Sequence, residues 1–210
     1  MGRLTEYTPK PLLKIGTETL LDNLLSVLPS EIIEIIIIIG YQGHKIKEHC
    51  GKDYLGKRIH YIEQKKLDGT ASAFLLTKLF FTERERFVLL YGDEMLSKEQ
   101  MAECLSYEFS WLCRRMDDPT QSGVATLDGR GHIIEVIEKP KNSVTNIVAA
   151  GVMVVNSDLF KYQPVRHANG EYYVTSMLNV FIKEHDVYAV MGTDNVAFSC
   201  AEDIKNFTVN

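Results

Sequence analysis

The stretch Phe87-Val88-Leu89-Leu90-Tyr91-Gly92-Asp93-Glu94-Met95 constrains this chain more than any other. Large apolar residues run straight into Gly-Asp-Glu. A short apolar run rich in β-branched and aromatic residues, ended by glycine, is the pattern of a buried parallel strand. In open α/β sheets, ligands bind just beyond the carboxyl ends of such strands. A carboxylate placed there can hold a hard cation, and the cation can hold phosphates. Asp93 also suits an ordinary turn or helix cap after a strand, and the stretch alone does not choose between the two.

A length of 210 residues suits one α/β domain with a sizeable core. The net charge of −5, without a basic stripe, argues against nucleic acid as a partner. Cys50, Cys104, Cys113 and Cys200 lack metal-type spacing and read as reduced thiols of a cytoplasmic protein. The six histidines likewise form no ligand spacing. The apolar run Ile32 to Ile39 is broken by Glu34 and is too short to span a membrane, so it reads as a buried strand. Met1-Gly2-Arg3-Leu4-Thr5-Glu6 has no apolar h-region, and Glu6 stands where a myristoylation signal needs Ser or Thr.

Along the chain, Pro9 and Pro11 forbid helix and stiffen the backbone around Lys10. A stiffened lysine suits phosphate binding, because less entropy is lost on engagement; a solvated surface lysine is the plain alternative. Apolar residues at 20, 21, 24, 25 and 28 predict a helix over 17–28. A strand over 32–39, a helix over 44–50 and a strand over 59–63 follow, with Gln64 just past the last. Leu67-Asp68-Gly69-Thr70-Ala71 opens a helix running to about 81. Small residues there let a flat ligand approach the backbone, although Asp-Gly-Thr is also a good plain cap. The pattern next predicts a helix over 97–112, strands over 123–127 and 133–137 joined as a hairpin, and a strand over 147–156. A helix over 172–185, strands over 187–191 and 195–199, and a helix over 202–207 complete the order. Strands alternate with helices and then cluster. The expected fold class is α/β and Rossmann-like, with a mixed, mostly parallel sheet flanked by helices and a partly antiparallel second half.

The motifs together resemble the sugar-1-phosphate nucleotidyltransferases, the uridylyl- and thymidylyltransferases that make nucleotide sugars. The resemblance rests on Thr8-Pro9-Lys10-Pro11-Leu12-Leu13, Gln64 with Gly69-Thr70-Ala71, Gly92-Asp93, Gly123-Val124, Glu138-Lys139-Pro140, Ala150-Gly151 and Gly170-Glu171. It covers nearly all 210 residues, read as a single nucleotidyltransferase domain. It implies that Lys10 neutralises charge at the α-phosphorus and that Asp93 holds Mg²⁺. It implies that Gln64 and Gly69, with Thr70 beside them, bind the nucleotide through the edge of a pyrimidine. Gly123, Glu138, Lys139, Gly151 and Glu171 fall to the sugar phosphate. The reaction implied joins a sugar-1-phosphate to UTP or dTTP with release of pyrophosphate. Such chemistry needs positioning, charge neutralisation and a metal rather than a covalent nucleophile. A homo-oligomer is left open.

Two departures from the pattern stand out. The family's G-x-G-T-R loop and the strand before it have no counterpart, so the chain is expected to begin inside the family's domain, with activity of this piece in question. The C-terminus is open to the same expectation. Ser199 stands where the family has a second metal-binding aspartate; Asp194 and Glu202 are nearby but out of register. Two alternatives remain: a non-catalytic regulatory or nucleotide-sugar-binding relative, and a nucleotide-sugar-dependent glycosyltransferase. Against the latter, Asp93-Glu94-Met95 is a poor match to an acidic D-x-D motif.

Overall fold

The computed structural model describes residues 5–192, which fall into two compact units. The first unit comprises the chain up to Lys65 together with Tyr91–Met101. After a single 3-10 turn at Lys10–Leu12, the short strands β1 (Lys14–Ile15) and β2 (Glu18–Thr19) pair antiparallel. Helix α1 (Leu20–Ser26) follows, held at its start by a reciprocal capping box. The Thr19 hydroxyl accepts from Asp22 N at 3.1 Å, and the Asp22 carboxylate accepts from Thr19 N at 2.9 Å. The buried face of α1 is Leu20, Leu21, Leu24 and Leu25, as the helical spacing predicts. Each contributes about 2 kcal/mol by leaving water. Strand β3 (Glu34–Ile39), helix α2 (Gly43–Cys50), β4 (Asp53–Tyr54) and β5 (Lys57–Glu63) complete this unit's sheet in the order β3-β5-β4, with β3 and β5 parallel. The Lys57 ammonium is buried and donates to the Pro29 and Ile32 carbonyls at 2.6 and 2.7 Å.

The second unit comprises Lys66–Leu90 and the chain from Ala102 onward. It holds α3 (Thr70–Leu75), β6 (Arg86–Leu90), and, after the helix α4 (Lys98–Ser106), the strands β7 (Ser110–Arg115), β8 (Gly123–Leu127), β9 (Ile133–Glu138) and β10 (Ile147–Asn156). Helix α5 (Val174–Glu184) and β11 (Tyr188–Met191) end it. Its sheet runs β11-β7-β10-β8-β9, with β6 also on β10. β10 is buried almost throughout and organises the sheet. One edge pairs with β7; the other is shared, β8 taking Val148 and Ala149 and β6 taking Val152 to Asn156. The register against β7 breaks between Ala149 and Met153, which places Gly151 in an irregular stretch at the handover. Phe74, Phe81, Phe87 and Phe160 pack as one aromatic cluster, Phe74 on Phe160 at 4.2 Å between ring centres.

The mixed α/β architecture with helices on the sheets is the expected one, but several details differ. Only β3–β5 and β7–β11 pair parallel among the described residues; β6, expected to be parallel, runs antiparallel to β10. An apolar run marks burial and not direction, so the long returning strand decided the pairing. The helix expected over 97–112 ends at Ser106, and its last residues belong to β7. Trp111, Leu112 and Cys113 are buried in succession, a two-faced burial that periodicity cannot tell from a buried helix end. Ile35 to Ile38 and Phe87 to Leu90 are half-buried rather than buried. β3 pairs only with β5, and β6 only with β10, among the described residues. The prolines do not exclude every turn: Pro9 caps Lys10–Leu12 and Pro11 lies at its start, where a missing N–H costs nothing. The elements expected over 195–199 and 202–207, and Ser199, Asp194, Glu202, Asp203 and Cys200, lie outside the described residues. Cys50, Cys104 and Cys113 are buried free thiols; burial pushes Cys104 up to about 11 and Cys113 up to about 12.

Candidate active site

In the first unit the segment around Lys10 is fastened on both sides. Upstream, the Tyr41 hydroxyl and the Gln42 amide donate to the Glu6 carbonyl at 2.9 and 2.8 Å, and the Lys45 ammonium donates to the Tyr7 carbonyl. Within the turn, Leu12 N donates to the Pro9 carbonyl at 2.9 Å. Downstream, Pro11 lies against Gly92: a Cβ there would stand 3.3 Å from Pro11 Cγ. That approach sets the following residue, and the Lys10 ammonium donates to Asp93 Oδ2. Their side chains are 25% and 40% exposed, so the pair is worth about 1 kcal/mol at most and is open to exchange. Gln64 lies one residue beyond β5, its N–H carrying the ladder on to the Ile39 carbonyl at 2.8 Å. No group of three or more His, Cys, Asp or Glu side chains could hold a metal among the described residues. A cation at Asp93 would rest, among the described residues, on fewer than three such side chains, with phosphates and waters completing its shell, a set Mg²⁺ accepts.

The second unit carries the other expected residues, Gly151 in β10 apart, in three neighbouring groups. Gly123 and Glu138 face each other in the β8–β9 hairpin. Glu138 Oε2 accepts from the buried Thr175 hydroxyl at 3.0 Å, which orients the carboxylate. Lys139, next along, has a left-handed backbone with φ 45°, an unusual conformation for a residue with a side chain. Its ammonium donates to the Tyr173 hydroxyl at 2.9 Å and lies 5.0 Å from that ring's centre. The Tyr173 hydroxyl in turn donates to Glu171 Oε2, and Asn169 Nδ2 donates to both, at 2.8 Å to Glu171 and 2.7 Å to Tyr173. The Tyr173 hydrogen bond pushes the Lys139 pKa up; the Tyr173 and Asn169 hydrogen bonds push Glu171 down. At neutral pH the group is a cation and an anion joined by a phenol.

Gly69 and Thr70 form the third group: Gly69 lies against the Tyr172 backbone, and the Thr70 hydroxyl accepts from Val174 N at 3.0 Å. Gly151 is buried in β10, and the Trp111 indole N–H donates to the neighbouring Ala150 carbonyl at 2.6 Å, anchoring the irregular stretch. Thr175, Tyr173, Asn169 and Trp111 were not singled out by sequence reasoning. The signal for the first three was Asn169-Gly170, a turn dipeptide directly before polar residues opening a helix. For Trp111 there was none, because its strand was itself unrecognised.

The model of the nucleotidyl transferase family matches residues 3–196. The bifunctional protein GlmU of Methanocaldococcus jannaschii is 28% identical over 189 residues, 89% of this chain and 45% of that protein. The chain thus spans less than half the length of that relative. The UTP–glucose-1-phosphate uridylyltransferase AglF of Haloferax volcanii is 26% identical over 197 residues, covering 86% of this chain and 77% of AglF. Among solved structures, UDP-glucose pyrophosphorylase complexed with UDP-glucose superimposes with a TM-score of 0.83 at 16% identity, over 100% of this chain and 92% of that one, a likeness of fold. With the family model running through all three groups of residues, the chain belongs to the nucleotidyl transferase family of sugar-1-phosphate nucleotidyltransferases.

Proposed function

We propose that this chain carries out the nucleotidyl-transfer step that joins a sugar-1-phosphate to UTP or dTTP. A phosphate oxygen of the sugar-1-phosphate attacks the α-phosphorus, the bond to the β-phosphate oxygen breaks, and pyrophosphate leaves. The observation that carries the reading is the Lys10–Asp93 pair, an ammonium already resting on the carboxylate that would hold a cation. Asp93 would hold Mg²⁺; bound there, the metal neutralises charge on the phosphates. Lys10, freed from the carboxylate, turns its ammonium to the α-phosphate, where charge builds. Gln64, Gly69 and Thr70 bind the nucleotide. Lys139 takes the sugar phosphate, and Gly123, Glu138, Gly151 and Glu171 hold the sugar. With its free thiols, and with no helix long and apolar enough to cross a membrane among the described residues, the reading includes a cytoplasmic location.

The test is pyrophosphate release from Mg²⁺, glucose-1-phosphate and UTP or dTTP. It is run with this chain and with a version carrying a relative's G-x-G-T-R segment ahead of Met1. Release from either supports the reading. Binding of UDP-glucose or dTDP-glucose without release from either favours a regulatory relative.

A further inference from the structure

Three side chains from the start of α2 converge on two consecutive carbonyls of the segment that leads to Lys10. The Tyr41 hydroxyl and the Gln42 amide both donate to the Glu6 carbonyl, and the Lys45 ammonium donates to the Tyr7 carbonyl. The arrangement works against local stability. Gln42 is the N-cap of α2 and has a left-handed backbone, φ 54° and ψ 27°, uncommon for a residue with a side chain. That side chain makes no cap bond to its own helix. It reaches to Glu6 instead, and its Oε1 is buried without a hydrogen-bond partner among the described residues. An unpaired buried acceptor is destabilising. Backbone strain of this kind persists where the surroundings over-determine it, and it clusters at functional segments.

What the anchor fixes follows from chain stiffness. Only Thr8 and Pro9 separate Tyr7 from Lys10. Pro9 has its φ locked, at −61°, and Thr8, as the residue before a proline, favours extended backbone. Few soft torsions remain to absorb a displacement, so the position of Tyr7 passes on to Lys10. Beyond it the turn closes through Leu12 N on the Pro9 carbonyl and Leu13 N on the Lys10 carbonyl, at 2.9 and 3.1 Å, and Pro11 lies against Gly92. Pro11 thus fixes the turn on the Asp93 side, and the α2 side chains fix the chain entering it. Resting on the role given to Lys10 above, we propose that Tyr41, Gln42 and Lys45 are positioning residues for the transfer step. They act through the Glu6 and Tyr7 carbonyls to keep the Lys10 ammonium within reach of Asp93 and of the α-phosphate, without touching substrate themselves.

The test is a double-mutant cycle on steady-state pyrophosphate release from Mg²⁺, glucose-1-phosphate and UTP or dTTP. It uses the chain itself or, where only that version releases pyrophosphate, the version carrying a relative's G-x-G-T-R segment. Lys45→Met is expected to lower kcat about tenfold with both KM values within about twofold of the parent, because a misplaced ammonium slows the step more than it weakens ground-state binding. Lys45→Arg, which restores donors to the Tyr7 carbonyl, recovers most of kcat. Gln42→Glu, whose carboxylate has no proton to donate to the Glu6 carbonyl, falls as Lys45→Met does. In a Lys10→Met background neither Lys45→Met nor Gln42→Glu lowers kcat further, since both act through Lys10. Parental kcat in either variant, a loss confined to KM, or a loss additive to that of Lys10→Met overturns the positioning role alone. No release from either version of the parent overturns the proposed transfer step, and the positioning role with it.

Discussion

Two lysines carry the reading, and they are held in opposite ways. Lys10 rests on the carboxylate of Asp93; Lys139 rests on the phenol of Tyr173, which is tied to Glu171 and Asn169. The first pair cancels charge. On the proposed reading, a metal-bound triphosphate would supply both a cation for Asp93 and an anion for Lys10 at once. The second lysine gives up no ion pair on meeting a phosphate, and its ammonium is already oriented. On the proposed reading, the first lysine would act by exchange and the second by direct capture.

The comparison breaks most readily at Asp93. Asp93→Asn is expected to lower kcat/KM for pyrophosphate release on the order of a thousandfold, with thermal stability near that of the parent. An effect below tenfold removes Asp93 from the site. Lys10→Met is expected to lower kcat about a hundredfold. Without nucleotide, however, the same variant should bind Mn²⁺, read by electron paramagnetic resonance, about two- to fivefold more tightly, because the competing ammonium is gone. Unchanged or weaker Mn²⁺ binding means the pair is not an exchange pair.

Tyr173→Phe leaves the Lys139 charge but removes its acceptor. KM for the sugar-1-phosphate should rise about fivefold, the loss of one hydrogen bond, with kcat little changed. A fall in kcat with unchanged KM would make Tyr173 part of the chemical step instead.

The smallest effect separates a functional carboxylate from a structural one. Asp22 is enclosed where Asp93 is open. Burial raises its pKa, but hydrogen bonds from Tyr54 and from His49, at 2.6 Å, and from Thr19 outweigh it, and the net shift is downward from 3.8. A carboxylate with a depressed folded pKa adds stability above its unfolded pKa and loses it as pH falls towards the folded one. Melting temperature should therefore drop as pH falls below about 4, and Asp22→Asn should flatten that slope. An equal slope in the variant assigns the acid sensitivity elsewhere.

Much of this was legible beforehand because it is local. The leucines of α1 recur at helical spacing, Asp128-Gly129-Arg130-Gly131 closes the β8–β9 turn, and Gly92-Asp93 marks the end of an apolar strand. The misreadings share one cause. Trp111 to Cys113 is buried on both faces, so the strand from Ser110 to Arg115 reads like the tail of α4. Phe87 to Leu90 announced a strand but not its direction, which depends on a partner more than sixty residues away.

By itself, then, the sequence determined most of the longer strands and helices among the described residues, but not β7 or the two-residue strands β1, β2 and β4. It also supplied the residues proposed to meet phosphate, metal and sugar. Only the tertiary structure decided their partners. It set Lys10 on Asp93 and Lys139 on Tyr173, gave Thr175 the task of orienting Glu138, and made Thr70 the cap of α5. Secondary structure follows from interactions a few residues apart, which periodicity and capping patterns record. A side chain's partner is chosen by strand order and by close approach at a single glycine, and no local pattern carries that information.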